Sequence, residues 1–125
     1  MSPAFTVFRG RVHATAMAAV VLIVCGCRPN LPASKPLAEL TPQEAGGYAV
    51  FQSHCARCHY ANSQDGFHGP GLQGLYKLPY LPSGAPANDD RVTSAILRGR
   101  GIMPAFANDL DDQQLNDLLA YLHTL

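Results

Sequence analysis

The chain has 125 residues with nine basic and nine acidic side chains, so its formal net charge is zero. A chain of this length accommodates one domain. The charge balance excludes the basic excess that is typical of nucleic-acid-binding proteins, and we expect no nucleic-acid partner.

Residues 1–26 have the pattern of a secretory signal peptide. Arg9 and Arg11 precede an apolar run from Ala14 to Val24, in which Thr15 is the only polar residue. An uncleaved membrane anchor is disfavoured, because eleven helical residues rise about 16 Å against roughly 30 Å for the hydrocarbon core of a bilayer. We therefore expect the mature protein outside the cytoplasm.

The apolar run ends in Cys25-Gly26-Cys27, which resembles the lipidation site of bacterial lipoproteins. Gly26 fits the position before cleavage and Cys27 the acylated position, whereas Cys25 departs from the small residues that are commoner there. Acylation would anchor the chain stably, because each buried CH₂ contributes about 0.8 kcal/mol. Arg28 stands where aspartate commonly marks inner-membrane retention. We expect an anchor on the periplasmic side of a bacterial membrane, with the outer membrane favoured; ordinary cleavage without acylation is the alternative.

Residues 27–40 are predicted to be a flexible tether between the lipid and the domain. This segment contains Pro29, Pro32 and Pro36 and has no apolar periodicity, which is typical of an extended linker. A segment that packs loosely on the domain surface is the alternative.

The predicted domain, residues 41–125, begins with a helix-start signal. Thr41 can cap the helix, Pro42 suits its first position, and Glu44 completes a capping box. We expect this helix to continue to about residue 54.

Residues 55–59 read Cys-Ala-Arg-Cys-His, the attachment signature of a c-type haem. Cys55 and Cys58 lie one helical turn apart, so both sulfurs can form thioethers to the vinyl groups on one porphyrin edge. His59 can then ligate the iron from one face of the ring. The alternatives are a structural zinc site, which needs two further ligands at matching spacing, and a thioredoxin-like dithiol, which needs a βαβ pattern.

The rest of the domain is expected to contain two more helices. Residues 72–78 suit a short helix and residues 79–87 a surface loop. The second main helix should start at an Asn88 cap and end at Gly99. The third should start at a capping-box-like pair, Asp111 and Gln114, and run from about Asp112 to Thr124. Its apolar stripe is Leu115, Leu118, Leu119 and Leu122.

Met103 is the candidate for a second axial ligand. Met1 and Met17 lie in the predicted signal peptide, so Met103 is the one thioether expected in the mature protein. Pro104 restricts Met103 to an extended backbone, and His/Met ligation suits electron transfer. The alternatives are a core methionine beside an open iron position, or His68 as the ligand instead.

These motifs, in this order, resemble those of a class I cytochrome c over residues 42–125. The resemblance implies a small all-α fold, with three to five helices wrapped around one covalently bound haem. It is carried by Gly47-x-x-x-Phe51, Cys55 to His59, Gly69-Pro70-Gly71-Leu72, Gly101 to Phe106 and the closing helix.

The resemblance also assigns roles to the residues after the attachment motif. The carbonyl of Pro70 would accept a hydrogen bond from His59, which fixes the imidazole ring. Gly71 would let the backbone pass close to the porphyrin and Leu72 would cover it, whereas a simple turn is the alternative reading of the glycines. The last helix is implied to cross the first near Gly47.

Arg98 and Arg100 flank the end of the second helix. A guanidinium group suits the carboxylates of haem propionates, and we expect Arg100 rather than Arg98 in this role. The alternative is that both are exposed cations at a helix end.

The sequence contains no nucleophile–base pair or hydrolase motif. From the resemblance we expect a one-electron carrier rather than an enzyme, a monomeric domain that exchanges electrons with redox partner proteins while tethered to the membrane. The alternatives are a cytochrome subunit of a larger oxidase or dehydrogenase complex, a haem sensor or peroxidase with an open iron site, and a zinc-binding module.

Overall fold

Three α-helices separated by long irregular segments make up the domain: α1, Pro42–His54; α2, Asp89–Arg98; and α3, Asp112–Leu122. A short 3-10 helix, Leu37–Glu39, precedes α1. These features come from a computed structural model that describes residues 28–125, so the predicted signal peptide and Cys27 lie outside the described residues. Within that range there are isolated bridges but no strand, and the all-α prediction is confirmed.

Each helix begins at the cap that the sequence predicts. The Thr41 hydroxyl accepts from the Glu44 amide, and the Glu44 carboxylate accepts from the Thr41 amide at 2.6 Å. The Asn88 side chain accepts from the third residue of α2, and Asp111 forms a reciprocal capping box at the start of α3. These bonds satisfy amide groups that have no partner within the helix.

Helix α3 crosses α1 at Gly47, as the resemblance implied. A Cβ atom at Gly47 would overlap the backbone carbonyl of Asp117 and lie 2.8 Å from the Cβ of Tyr121, so the two backbones meet with no room for a side chain. One turn further along α1, the Phe51 ring lies 5.5 Å from the Tyr121 ring. The crossing is the centre of a core whose buried members are Val50, Phe51, Val92, Ile96, Leu110, Leu118, Tyr121, Leu122 and Leu125.

The segment 72–78 forms consecutive turns instead of the predicted short helix. Gly74 has φ of +70°, a left-handed conformation that interrupts a right-handed helix. Its carbonyl accepts from the amide of Lys77 at 2.9 Å. Residues 79–87 form the predicted loop, closed by an antiparallel bridge between Tyr80 and Pro86.

Residues 31–40, within the predicted tether, lie against the domain. They form one compact unit with the rest of the domain, Leu31–Leu125. The Lys35 ammonium is 2.6 Å from a Glu44 carboxylate oxygen. This placement matches the alternative that the sequence left open, a segment packed on the domain surface.

None of the helices between residues 28 and 125 has the length and apolar character that crossing a bilayer requires.

Candidate haem-binding site

A cavity of about 420 Å³ lies at the C-terminal end of α1. The attachment motif and two loops form part of its wall, and the apolar faces of α2 and α3 form the rest. Its apolar lining includes Phe51, Leu72, Leu75, Leu81, Val92, Ile96, Leu118 and Leu122. The core of the domain and the cavity therefore share one apolar surface.

The two motif cysteines face this cavity because α1 ends one residue before them. Cys55 caps α1 by donating its amide to Phe51, and the chain then turns so that the amides of Cys58 and His59 both bond to the Cys55 carbonyl at 3.0 Å. Both cysteines line the cavity as free thiols. Burial, and secondarily the neighbouring Cys58, raise the pKa of the Cys55 thiol to about 11.

A structural zinc site at these cysteines would need two further protein ligands beside them. Between residues 28 and 125, no group of three His, Cys, Asp or Glu side chains is placed to hold a metal ion. The described part of the chain also lacks the strands of a thioredoxin-like dithiol. The structure therefore supports neither a zinc site nor a thioredoxin-like dithiol at Cys55 and Cys58.

The imidazole of His59 is oriented by a hydrogen bond at one of its ring nitrogens. Its Nδ1 atom lies 2.8 Å from the carbonyl oxygen of Pro70, and because a carbonyl only accepts, Nδ1 carries the proton. The other ring nitrogen, Nε2, is thereby left as the free acceptor. Pro70 occupies the place that the resemblance implied.

Gly69 rather than Gly71 packs against the His59 ring. A Cβ atom at Gly69 would overlap the ring Cε1 atom. Gly71 does not line the cavity; a side chain there would overlap the carbonyl of Ser63, so this glycine permits contact with a neighbouring loop. Leu72 lines the cavity. The sequence alone does not separate the roles of Gly69 and Gly71, because both flank Pro70.

Met103 reaches the cavity from a short hairpin. The Arg100 amide donates to the Met103 carbonyl at 3.0 Å, and the Met103 amide donates back to Arg100 at 2.9 Å. Met103 is half-buried and lines the cavity. His68 also lines it, but its exposed ring is paired with that of Phe67 at 4.1 Å. Both residues proposed from the sequence for the second axial position are thus at the site.

The charged residues among those lining the cavity are the two arginines Arg57 and Arg100, with no carboxylate among them. Arg98 is absent from the lining, which favours Arg100 of the two arginines weighed from the sequence. Arg57 and His54 were missed by sequence reasoning. Arg57 lies inside the attachment motif, so its spacing from the cysteines was the available signal, whereas the position of His54 depends on where α1 ends.

The lining fits a haem c in its chemistry. It offers two thiols for thioether bonds, an imidazole with a free Nε2, a thioether and an apolar surface for the porphyrin. The two guanidinium groups suit the propionates.

The chain is similar to several known cytochromes. Residues 42–122 match a family model described as cytochrome c oxidase, cbb3-type, subunit III. Cytochrome c6 of Thermosynechococcus vestitus is 30% identical over 99 residues, which cover 79% of this chain and 85% of the relative. The cbb3-type cytochrome c oxidase subunit CcoP of Azospirillum sp. is 33% identical over 86 residues, covering 65% of this chain and 28% of the subunit. The crystal structure of cytochrome c6 from the diatom Phaeodactylum tricornutum matches at 25% identity with a TM-score of 0.48, covering 63% of this chain and 88% of that one.

Proposed function

The chain belongs to the cytochrome c family as a monohaem class I member with one covalent haem c, and from this we propose that it carries single electrons through a haem iron held by His59 and Met103. Family membership supports an electron carrier rather than an enzyme. The axial ligands, the membrane anchor and the partner are our proposals.

The observation that carries the ligand assignment is the shared cavity. His59, with its Nδ1 bonded to the Pro70 carbonyl, and Met103 both line the cavity beside Cys55 and Cys58. Cys55 and Cys58 would hold the haem by thioether bonds, with His59 and Met103 as axial ligands. When bound, the haem supplies a one-electron Fe(III)/Fe(II) couple, and His/Met ligation raises its reduction potential relative to two nitrogen ligands.

The protein's own groups tune this couple. The Pro70 carbonyl keeps the His59 ring in one orientation and makes its Nε2 more basic. With haem bound, the apolar walls of the cavity would exclude water from the iron, which would disfavour the more highly charged ferric state. Arg57 and Arg100 place positive charge at the cavity and would pair with the propionates, in the role that we expected of Arg100.

We further propose that the mature protein works on the periplasmic side of a bacterial membrane, as a monomer anchored through acylated Cys27. The signal-peptide pattern and the Cys25-Gly26-Cys27 sequence support this, and Arg28 after the anchor favours the outer membrane. Intact-mass spectrometry of the purified protein tests it. The proposal requires a chain that begins at Cys27, carries acyl chains and holds one haem; a chain cleaved elsewhere without acyl chains contradicts the anchor.

A second candidate function is supported by the CcoP relative, in which the matching region is part of an oxidase subunit. The chain would then serve a larger oxidase or dehydrogenase complex with the same haem chemistry. Purification from membranes in a mild detergent distinguishes the subunit role from the free electron carrier. A stable complex supports the subunit role, and a protein that purifies alone supports the free carrier.

Spectroscopy tests the ligand assignment. A far-red sulfur-to-iron charge-transfer band in the ferric protein, lost in Met103→Ala and retained in His68→Gln, supports Met103 as the ligand. Rapid carbon monoxide binding to the reduced wild-type protein contradicts it and favours a sensor or peroxidase with an open iron position.

A further inference from the structure

The hairpin that carries Met103 starts directly from the C-terminal cap of α2. That cap is Gly99, with φ of 72° and ψ of 172°. This combination lies in a region of backbone space that is essentially restricted to glycine. The chain therefore leaves α2 through a backbone conformation that other residues do not readily adopt.

Gly99 is also in tight contact with the hairpin that follows it. A Cβ atom at this position would lie 2.5 Å from the Met103 carbonyl oxygen and 2.9 Å from both the Pro104 carbonyl carbon and the Ala105 nitrogen. All three are backbone atoms, so no side-chain rotation can relieve the overlap. A side chain at Gly99 has to move the backbone of residues 103–105.

The hairpin has little freedom to move without carrying the Met103 side chain with it. Its two ends, Arg100 and Met103, are joined by two backbone hydrogen bonds. Beyond Pro104, the Phe106 amide donates to the Ile96 carbonyl at 3.0 Å, which fastens the segment back onto α2. The Phe106 ring also meets the His54 ring edge-on at 5.8 Å, on the wall of the same cavity.

Gly101, at the tip of the same hairpin, is a natural comparison. It also has a positive φ, of 58°, but a Cβ atom there would meet nothing within 4 Å. Substitution at either glycine strains the backbone, whereas only the substitution at Gly99 pushes on the segment that holds Met103.

We propose that Gly99 is the positioning residue for Met103: its lack of a side chain lets the hairpin seat against the end of α2 and sets where the thioether enters the cavity. This inference rests on the proposed function in one respect, that the Met103 sulfur binds the haem iron. Gly99 itself touches neither the iron nor the porphyrin in this role.

The test uses the haem-loaded protein as wild type, Gly99→Ala and Gly101→Ala. We expect Gly99→Ala to lose the far-red sulfur-to-iron band, to bind carbon monoxide faster when reduced, and to have a lower reduction potential. Gly101→Ala should keep the band. A Gly99→Ala protein with an unchanged band, or a Gly101→Ala protein that loses it equally, would overturn the proposal.

Amide hydrogen exchange keeps this test separate from the ligand assignment. If the wild-type band is absent, Met103 ligation fails, and the exchange rates of the Met103 and Phe106 amides still decide whether Gly99 positions the hairpin. They should rise in Gly99→Ala and change little in Gly101→Ala; equal rates in the two variants contradict the proposal. Should Gly99→Ala not accumulate with haem, Gly99→Ser carries a Cβ atom at the same place, and the same measurements on it decide the proposal.

Discussion

The backbone amide of Lys35 donates a hydrogen bond of 2.9 Å to the carbonyl oxygen of Thr124, two residues beyond the end of α3. The side chain of the same lysine pairs with Glu44 in the first turn of α1. Lys35, which precedes α1, thus contacts both the first turn of α1 and the C-terminal end of the chain. Residues 31–40 contribute to the fold and do not serve only as a spacer.

The Lys35–Glu44 pair predicts an acid-dependent loss of stability. Hydrogen bonds from Lys35 and from the Thr41 amide lower the pKa of Glu44 below its ordinary value of 4.5. A lowered folded-state pKa stabilises the fold above the unfolded-state value, and this contribution disappears as the pH falls through the folded-state value. In urea titrations from pH 3 to pH 7, Lys35→Met should be less stable than wild type near pH 7, with the difference shrinking below pH 4.5. A difference independent of pH contradicts the pair.

Adjacent glycines in α1 should respond oppositely to alanine. At Gly47 a Cβ atom would overlap the Asp117 backbone, so Gly47→Ala should destabilise the fold by about 1–3 kcal/mol or more through overpacking. At Gly46 the nearest atom is the Asp117 carboxylate oxygen, 3.1 Å away on a side chain that can rotate. Gly46→Ala should therefore be neutral or stabilising by up to about 1 kcal/mol, because alanine has the higher helix propensity. Equilibrium urea unfolding measures both, and equal losses would disprove the close crossing of α1 and α3.

Much of this architecture could be predicted from the sequence because its signals are local. The caps at Thr41, Asn88 and Asp111 depend on residues three apart, and the attachment motif spans only five residues. Long-range contacts carry no such signal. The docking of Lys35 onto Thr124 joins residues 89 positions apart, and a proline-rich composition is equally consistent with a free linker.

The same limit applies to the site. Cys55, Cys58 and His59 are candidates because of their spacing, and Met103 because it is the one methionine outside the predicted signal peptide. The cavity positions of His54 and Arg57 depend on the direction in which the chain turns after α1, which spacing does not specify. The segment 72–78 forms turns instead of the predicted short helix, because the positive φ of Gly74 does not fit a right-handed helix.

The two arginines near the end of α2 should differ in their effect on the reduction potential. Arg100 lines the cavity and Arg98 does not. A positive charge near the iron disfavours the ferric state, so Arg100→Gln should lower the potential by more than Arg98→Gln. Redox titration of the two haem-loaded variants at one pH and ionic strength measures this. An equal shift of the reduction potential in both variants would mean that the haem responds to the total charge of the protein and not to the position of Arg100.

Ile102 should control electron exchange at the cavity edge. It lines the cavity and yet is 85% exposed, so it lies where the cavity meets the solvent and where a second molecule could approach the haem. Ile102→Glu should slow electron self-exchange between reduced and oxidised molecules, because two like charges would meet when the edges approach. Leu37→Glu is the control, since Leu37 is 53% exposed and does not line the cavity. Line broadening in NMR spectra of half-reduced samples gives the rates, and equal slowing would place the exchange surface elsewhere.

The most direct test of the account uses Met103 as the one methionine expected after signal removal. Protein labelled with carbon-13 in its methionine methyl groups should give a single methyl signal. If the Met103 sulfur binds the iron of the reduced protein, its methyl group lies over the porphyrin face, and the ring current shifts the proton signal far upfield of the range for ordinary methyl groups. A methyl signal within the ordinary range would show that Met103 is not the axial ligand and would contradict the account.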